Sequence, residues 1–355
     1  MKKIYFTPGP SQLYPSVAKH IERALSDDVL SMSHRSITFQ EIYEDATNSL
    51  KKLLGIPQEY SVFFISSATE GMERVIQNCV AKRSFHYIQG GFAKRFYQTA
   101  VDYKKNAEKY EMEQGKGFDF QTIEAPRAAE LITITQCETS TGVIVPEHEI
   151  SNLKKRYPHA LIAVDVVSSI PCTNLDYEFT DCVFFSVQKG FGLPAGLGVL
   201  VLSPAAMEKS QFVKSKGYSI GSYHSFEELL GYASKHQTPE TPNVFALYLL
   251  SNVLQDMLDV GIEKIRKQTD AKAQLMYEFF DNHKVYGPFV KNPADRAKTV
   301  LVIEVKGGSE ELRMRLKKQG IVVGGGYGPF KNQHIRIANF PAHSVQMVKK
   351  LLSNL

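Results

Sequence analysis

A carboxylate and a lysine each follow an apolar run in this chain. Asp165 comes directly after Leu161–Val164, and Lys189 comes shortly after Cys182–Ser186, where it is preceded by Gln188 and followed by Gly/Pro-rich chain. In an open parallel sheet, ligands bind outside the carboxyl ends of the strands, so both groups are expected to face one crevice. A partly desolvated lysine amine loses its proton more easily and can condense with an aldehyde. A carboxylate beneath a pyridine nitrogen keeps that nitrogen protonated, so the ring can accept electrons from a substrate carbanion. Taken singly, the two read first as a strand-end cap and a surface lysine. As a pair they are what a pyridoxal-phosphate site requires.

Other segments of the same texture add to the pair. Ser66–Glu73 lies between a strand-like and a helix-like stretch, and its small residues let backbone N–H groups and hydroxyls approach a phosphate at a helix amino terminus. By itself it is also an ordinary N-cap. Gly90-Gly91-Phe92-Ala93 offers an aromatic that could stack on a flat ring or fill a core. Glu138–Gly142 offers hydroxyls to a ring oxygen.

The elements that must position these residues alternate. Strands are predicted at Ser61–Ile65, Phe85–Ile88, Leu131–Thr135, Leu161–Val164, Cys182–Ser186 and Gly198–Leu202. Helices are predicted from about Glu70 to Ala81, from near Phe92, and from His148 to Tyr157. Near-continuous apolar strands between amphipathic helices describe an α/β fold with a mostly parallel sheet covered on both faces. The close spacing of the last two strands predicts a hairpin with one antiparallel member. After Pro242 the pattern becomes helical from Val244 to about Asn282, with a break near Gly261. A strand at Thr299–Val305, a helix at Glu310–Gln319, short strands at Ile321–Val323 and His334–Ile337, and a closing helix from Ser344 suggest a smaller α+β domain.

Composition excludes several classes. The net charge of +5 is not concentrated in a Lys/Arg block, which argues against a nucleic-acid partner. Thr7-Pro8-Gly9-Pro10 interrupts the charged amino terminus before any apolar signal core, and no run approaches a membrane span. Cys79, Cys137, Cys172 and Cys182 lack metal or CxxC spacing and read as buried, reduced thiols of a cytoplasmic protein. The glycine run Gly324–Gly328 lacks the Lys-Ser/Thr of a P-loop and reads as a flexible turn rather than a nucleotide loop.

With these residues in view, the chain resembles the class V aminotransferases of fold type I, and most closely the phosphoserine aminotransferases. The resemblance runs nearly end to end, through Phe6–Pro10, Ser33–Ser36, Ser66–Glu73, Glu138–Gly142, Asp165, Gln188-Lys189, Pro194–Gly196, Thr241-Pro242 and Ile335-Arg336. It implies a seven-stranded sheet sandwiched by helices, with a large cofactor domain over residues 16–258 and a small domain made of 1–15 and 259–355. It implies that Lys189 carries pyridoxal 5'-phosphate as a Schiff base and shuttles the substrate proton, and that Asp165 pairs with the pyridinium. Phe92 takes the stacking position and Thr139 lies near the ring hydroxyl. Ala68, Thr69 and Gln188 hold the phosphate, with Thr241 from a neighbouring subunit of a homodimer. Arg336 clamps the substrate α-carboxylate, and His34 and Arg35 bind the substrate phosphate. No metal is implied; the substrates are an amino acid and a keto acid.

The chain departs from the phosphoserine pattern in places. A second His-Arg pair before the carboxylate arginine is absent, with Gly328–His334 in its place; a basic residue is missing at Thr69, and Glu240 stands where Asn is usual. His-Arg-Ser segments also occur in relatives that use alanine, serine and glyoxylate, which keeps that substrate class open beside phosphoserine. Cysteine desulfuration needs a thiol late in the chain, and none follows Cys182. A catalytically silent protein of the same fold is a further alternative, opposed by the retained Lys189 and Asp165.

Overall fold

The computed structural model describes residues 3–355; Met1 and Lys2, the start of the charged amino terminus, lie outside the described residues. In chain order the strands are β1 (Ile4–Phe6), β2 (Ser61–Ile65), β3 (Arg83–Ile88), β4 (Asn106–Glu111), β5 (Leu131–Thr135), β6 (Leu161–Asp165), β7 (Cys182–Ser186), β8 (Gly198–Leu202), β9 (Tyr286–Pro288), β10 (Val300–Val305), β11 (Ile321–Gly325) and β12 (His334–Ala338). A seven-stranded sheet runs in the order β2-β8-β7-β6-β5-β3-β4. Its antiparallel member is β8, which pairs with β2 and β7; the other ladders are parallel.

Alternation along these strands builds a core on each face. Phe63, Ile65, Leu131, Ala163 and Phe184 pack with Met72, Val75 and Ile76 of the helix Ala68–Cys79 and with Phe96 of the helix Gly91–Asp102. Val62, Phe64, Ile132, Val164 and Phe185 pack on the other face with Phe39 and Leu50 of the helix Ile37–Leu54 and Leu250 of the helix Val244–Val260. Each such buried Val, Leu, Ile, Phe or Met side chain contributes about 1.5–3 kcal/mol. Burial on both faces is why these strands read as continuous apolar runs rather than alternating ones.

The second sheet has the order β1-β11-β12-β10-β9. Its core joins Phe6, Leu301, Ile303, Ile335 and Ile337 to Met276 and Phe280 of the helix Ile262–Asp281. The break near Gly261 is an 83° bend between the helices Val244–Val260 and Ile262–Asp281, and Gly261 takes a positive φ of 86° there. No single helix among the described residues is long and apolar enough to cross a membrane. All four cysteines are buried and free.

Three strands lie outside the sequence expectations. β1 pairs in parallel with β11 from the far end of the chain, and β9 pairs with β10 through three residues. β4 is an edge strand carrying Asn106, Glu108, Lys109 and Glu111, the polar composition that keeps an open edge from recruiting another chain. The glycine run also differs from a simple turn: Gly324 and Gly325 are the last residues of β11, and Gly328 begins a short 3₁₀ turn, Gly328–Phe330.

Candidate active site

The carboxyl ends of β2, β3, β5, β6 and β7 and the turns after them border a cavity of about 510 Å³. Ala68, Thr69, Phe92, Thr139, Asp165, Gln188, Lys189 and Arg336 all line it. His34, Arg35 and Thr241 do not.

Lys189 is buried, and its Nζ donates to Ser168 Oγ at 2.7 Å and Thr139 Oγ1 at 2.9 Å. Those hydroxyls lie 2.5 Å apart, so the amine sits on a pair of oxygens hydrogen-bonded to each other. Burial brings the lysine down to about 8, although Asp165 pulls the other way. Burial pushes Asp165 up to about 7, opposed by the Val167 N–H, which donates to Oδ1 at 2.9 Å, and by the Lys189 charge. A nucleophilic amine and a carboxylate in want of a cation are therefore held in one enclosure. The amino-terminal segment closes over them: a side chain at Gly9, whose φ is +144°, would come within 2.8 Å of Lys189 Cε.

One end of the cavity lies at the start of the helix Ala68–Cys79. Ser67 caps the helix Ala68–Cys79, its Oγ accepting from the Glu70 N–H at 3.1 Å. The Ala68 N–H donates to Ser186 Oγ at 2.8 Å, which ties this helix start to the end of β7. Gly198 lets β8 pass beneath the turn, since a Cβ there would lie 2.6 Å from the Ser67 carbonyl carbon. Gln188 Oε1 is buried without a hydrogen-bond partner, an unmet acceptor beside a helix amino terminus.

Another part of the lining is aromatic and cationic. Glu138, fully buried, accepts from the N–H groups of Phe92 and Ala93 at 3.1 and 3.0 Å through Oε2, and from the Ser140 N–H and hydroxyl through Oε1. A carboxylate at the start of the helix Gly91–Asp102 satisfies exposed amides and the helix dipole together, and so fixes Phe92. Phe92 packs at 5.6 Å from Tyr327, whose ring occupies the space a side chain at Gly91 would need. Lys189 Nζ and Arg95 lie 5.3 and 5.5 Å from the Phe92 ring centre, and Arg336 lies 5.5 Å from that of Tyr327. Arg336 Nε donates to the Gly325 carbonyl at 2.7 Å, and burial lowers its pKa.

Sequence reasoning misses Ser168, Ser186, Glu138, Tyr327 and Arg95. Ser168 and Glu138 stand within or beside segments singled out for other residues, and the signal for Tyr327 is an aromatic residue inside a glycine run.

The remaining candidates gather elsewhere. Arg35 is exposed, donates to Gln237 Oε1 at 2.8 Å and the Thr238 carbonyl at 2.9 Å, and lies over Tyr232. Thr241 is exposed, and the side chain of the adjacent Glu240 pairs with His224 Nε2 at 3.0 Å. His224 Nδ1 contacts Glu70 Oε1. Of the residues standing where the second His-Arg pair would be, His334 is buried, stacked on Phe330 and in contact with Phe289, and Lys331 is exposed; neither lines the cavity.

Comparison with known proteins agrees with this architecture. The family model "Aminotransferase class-V" matches residues 4–331. A crystal structure of a phosphoserine aminotransferase from Cytophaga hutchinsonii is 46% identical, with a TM-score of 0.98 over 99% of this chain and 98% of that one. The phosphoserine aminotransferase of Rhodococcus opacus is 24% identical, the match spanning 99% of this chain and 93% of that protein. An alanine–glyoxylate aminotransferase from Nostoc shares the fold, with a TM-score of 0.85 at 20% identity over 100% of this chain and 94% of that one. With a family model matched over nearly its whole length and a full-length relative at 46% identity, the chain belongs to the class-V aminotransferases.

Proposed function

We propose that this aminotransferase uses pyridoxal 5'-phosphate to move the amino group of phosphoserine to 2-oxoglutarate, as a cytoplasmic homodimer serving serine biosynthesis. The observation that carries the reading is the meeting of Lys189, Asp165 and Arg336 in one cavity; the substrate is supported by the full-length likeness to a phosphoserine aminotransferase.

The residues fit the cofactor. Gln188, whose Oε1 is orphaned, can turn its amide NH₂ toward a phosphate, and Thr69 at the start of the helix Ala68–Cys79 adds a backbone donor; the Ala68 N–H joins it by exchanging Ser186 Oγ for the phosphate. Asp165, pushed up by burial, gains a counter-charge from a protonated ring nitrogen. Phe92 offers a ring face, and Thr139 a hydroxyl. When bound, pyridoxal phosphate supplies a ring that takes up the electrons of the broken Cα–H bond.

The chain's own groups do the rest. Arg336 holds the α-carboxylate of the amino donor in the fork geometry of a guanidinium. Lys189 Nζ, with a pKa lowered to about 8, is a base strong enough to take the Cα proton and weak enough to give it back. Ser168 and Thr139 keep that amine aimed. Tyr327 and the Thr7–Pro10 segment restrict the entry of water. His34, Arg35 and Thr241 are assigned to the site of the second subunit, a reading supported by their absence from this chain's cavity and by the exposed Leu30, Ile37 and Leu230. The division into domains at 16–258 and at 1–15 with 259–355 is supported by the pairing of β1 with β11 and by the separate small core.

The alternative, an alanine- or serine–glyoxylate enzyme, is favoured by one observation: neither His334 nor Lys331 replaces the missing His-Arg pair in the cavity. Steady-state assays decide between them. Holoenzyme given phosphoserine with 2-oxoglutarate should form glutamate with a kcat/KM at least about tenfold above that for alanine with glyoxylate, a gap of about 1.4 kcal/mol. The reverse order would overturn the phosphoserine assignment.

A further inference from the structure

Thr299 stands just before β10 of the second sheet, yet its side chain reaches the turn that follows β6 of the first. It is buried, and its Oγ1 donates to the backbone carbonyl of Ser168. No other described residue donates to that carbonyl. With its one proton committed there, Oγ1 is left to accept from the Cys137 thiol at 3.5 Å. Cys137 comes two residues before Thr139. Ser168 and Thr139 are the two hydroxyls to which Lys189 Nζ donates. One hydroxyl outside the cavity lining therefore touches both segments that hold the amine.

The other side of Thr299 is anchored as well. Its carbonyl accepts from the Asn339 N–H at 2.7 Å, one step beyond the β10–β12 ladder. Asn339 is buried and donates its side-chain amide to the carbonyls of Thr269 and Lys298 at 2.9 and 2.8 Å. Arg336 lies on the same strand β12, opposite Val302 of β10. Packing alone does not call for a hydroxyl here, because the neighbours Cys137 and Val300 belong to an apolar cluster with Ala297, Ala338 and Phe340. A hydroxyl buried in such surroundings is costly unless it is bonded, and the bond it makes goes to Ser168.

We propose that Thr299 is a positioning residue for the catalytic amine: by fixing the turn that carries Ser168, it sets where Lys189 Nζ is held for proton transfer at Cα. Through β10 and β12 it ties that position to the strand that presents Arg336 to the α-carboxylate. The proposal rests on the reading of Lys189 as the base of transamination and is independent of which donor the enzyme uses.

The test is a double-mutant cycle on holoenzyme. It reads the rate at which visible absorbance bleaches, per loaded site, at a saturating concentration of the donor that the wild type uses best. Thr299→Val keeps the shape and removes the hydroxyl. It should slow bleaching by about tenfold to a hundredfold, the scale of a misplaced reacting group, with a smaller change in the half-saturating donor concentration. Thr299→Ser should recover most of the rate. In a Ser168→Ala background, itself slower than wild type, Thr299→Val should cost about threefold or less, because the hydroxyl it acts through is gone. Equal fold-losses in the two backgrounds would overturn the proposal, as would full activity of Ser168→Ala. A Thr299→Val protein with a lower melting temperature or fewer loaded sites, but the wild-type rate per site, would mark a purely structural role and overturn it too. Failure of the underlying reading would look different: Lys189→Ala would still bleach with donor.

Discussion

Lys189 Nζ donates to the hydroxyl of Ser168 at 2.7 Å, so the lysine after β7 is tethered to the turn after β6, just beyond Asp165. Amine and carboxylate are thus held by two strands that pair with each other, β6 and β7. Lys189→Ala removes the amine and leaves Asp165 in place at the end of β6. The variant, incubated with pyridoxal phosphate, should lack the visible absorbance of a lysine-linked cofactor, and turnover should fall by about 10²–10⁴-fold or more. Absorbance spectra and steady-state rates check this; a normal yellow protein would remove Lys189 from the mechanism.

Asp165→Asn keeps the shape and the acceptor for the Val167 N–H but loses the charge. Removing one member of a buried charge pair costs about 3–5 kcal/mol, which corresponds to about 10²–10⁴-fold in turnover if the loss falls on the transition state. Cofactor retention through dialysis should drop as well. Near-wild-type rates and retention would show that Asp165 does not face the ring nitrogen.

Much of this arrangement is legible in the sequence. The main strands stand out because they are buried on both faces, and the placement of residues at their carboxyl ends follows from the topology of a parallel sheet. Polar or long-range parts are not legible. β4 is charged and paired on one side, and β1 is three residues held by a strand from the far end of the chain. Glu138 reads as one more loop carboxylate because its four donors come from Phe92, Ala93 and Ser140, and the first two are distant in sequence. His34, Arg35 and Thr241 illustrate the opposite limit: a family pattern assigns them to a site, while a single chain keeps them outside its own cavity.

Glu138→Gln should be costly for so small a change. An amide cannot accept at both ends, so donors that now meet carboxylate oxygens would face an NH₂ group. Leaving buried donors unmet costs about 1–3 kcal/mol. Chemical denaturation should show that loss, and KM should rise because Phe92 is no longer held. Unchanged stability would mean that the carboxylate does not fix the start of this helix.

His224 links Glu70, in the first turn of the helix Ala68–Cys79 that borders the cavity, to Glu240. Burial alone would lower its pKa, but hydrogen bonds to Glu240 and Glu70 override it and raise the imidazole to about 9. Burial would likewise raise Glu70, yet the bonds from His224 and Ser66 hold it at about 2. A raised histidine stabilises the fold fully below its ordinary value near 6.5, and the contribution disappears as pH climbs through about 9. The lowered Glu70 contributes above its ordinary value near 4.5 and is lost as pH falls toward 2. Thermal unfolding from pH 6 to 10 should therefore show a decline in the wild type, up to about 3 kcal/mol, that is smaller in His224→Gln. Parallel curves would contradict the pairing.

The most direct test of the central claim is a half-reaction titration. Purified enzyme loaded with pyridoxal phosphate, without keto acid, receives L-phosphoserine, L-serine or L-alanine while its visible absorbance is followed. The account predicts stoichiometric bleaching, with phosphoserine effective at the lowest concentration. A protein that never acquires the chromophore, or whose chromophore no amino donor bleaches, would contradict it.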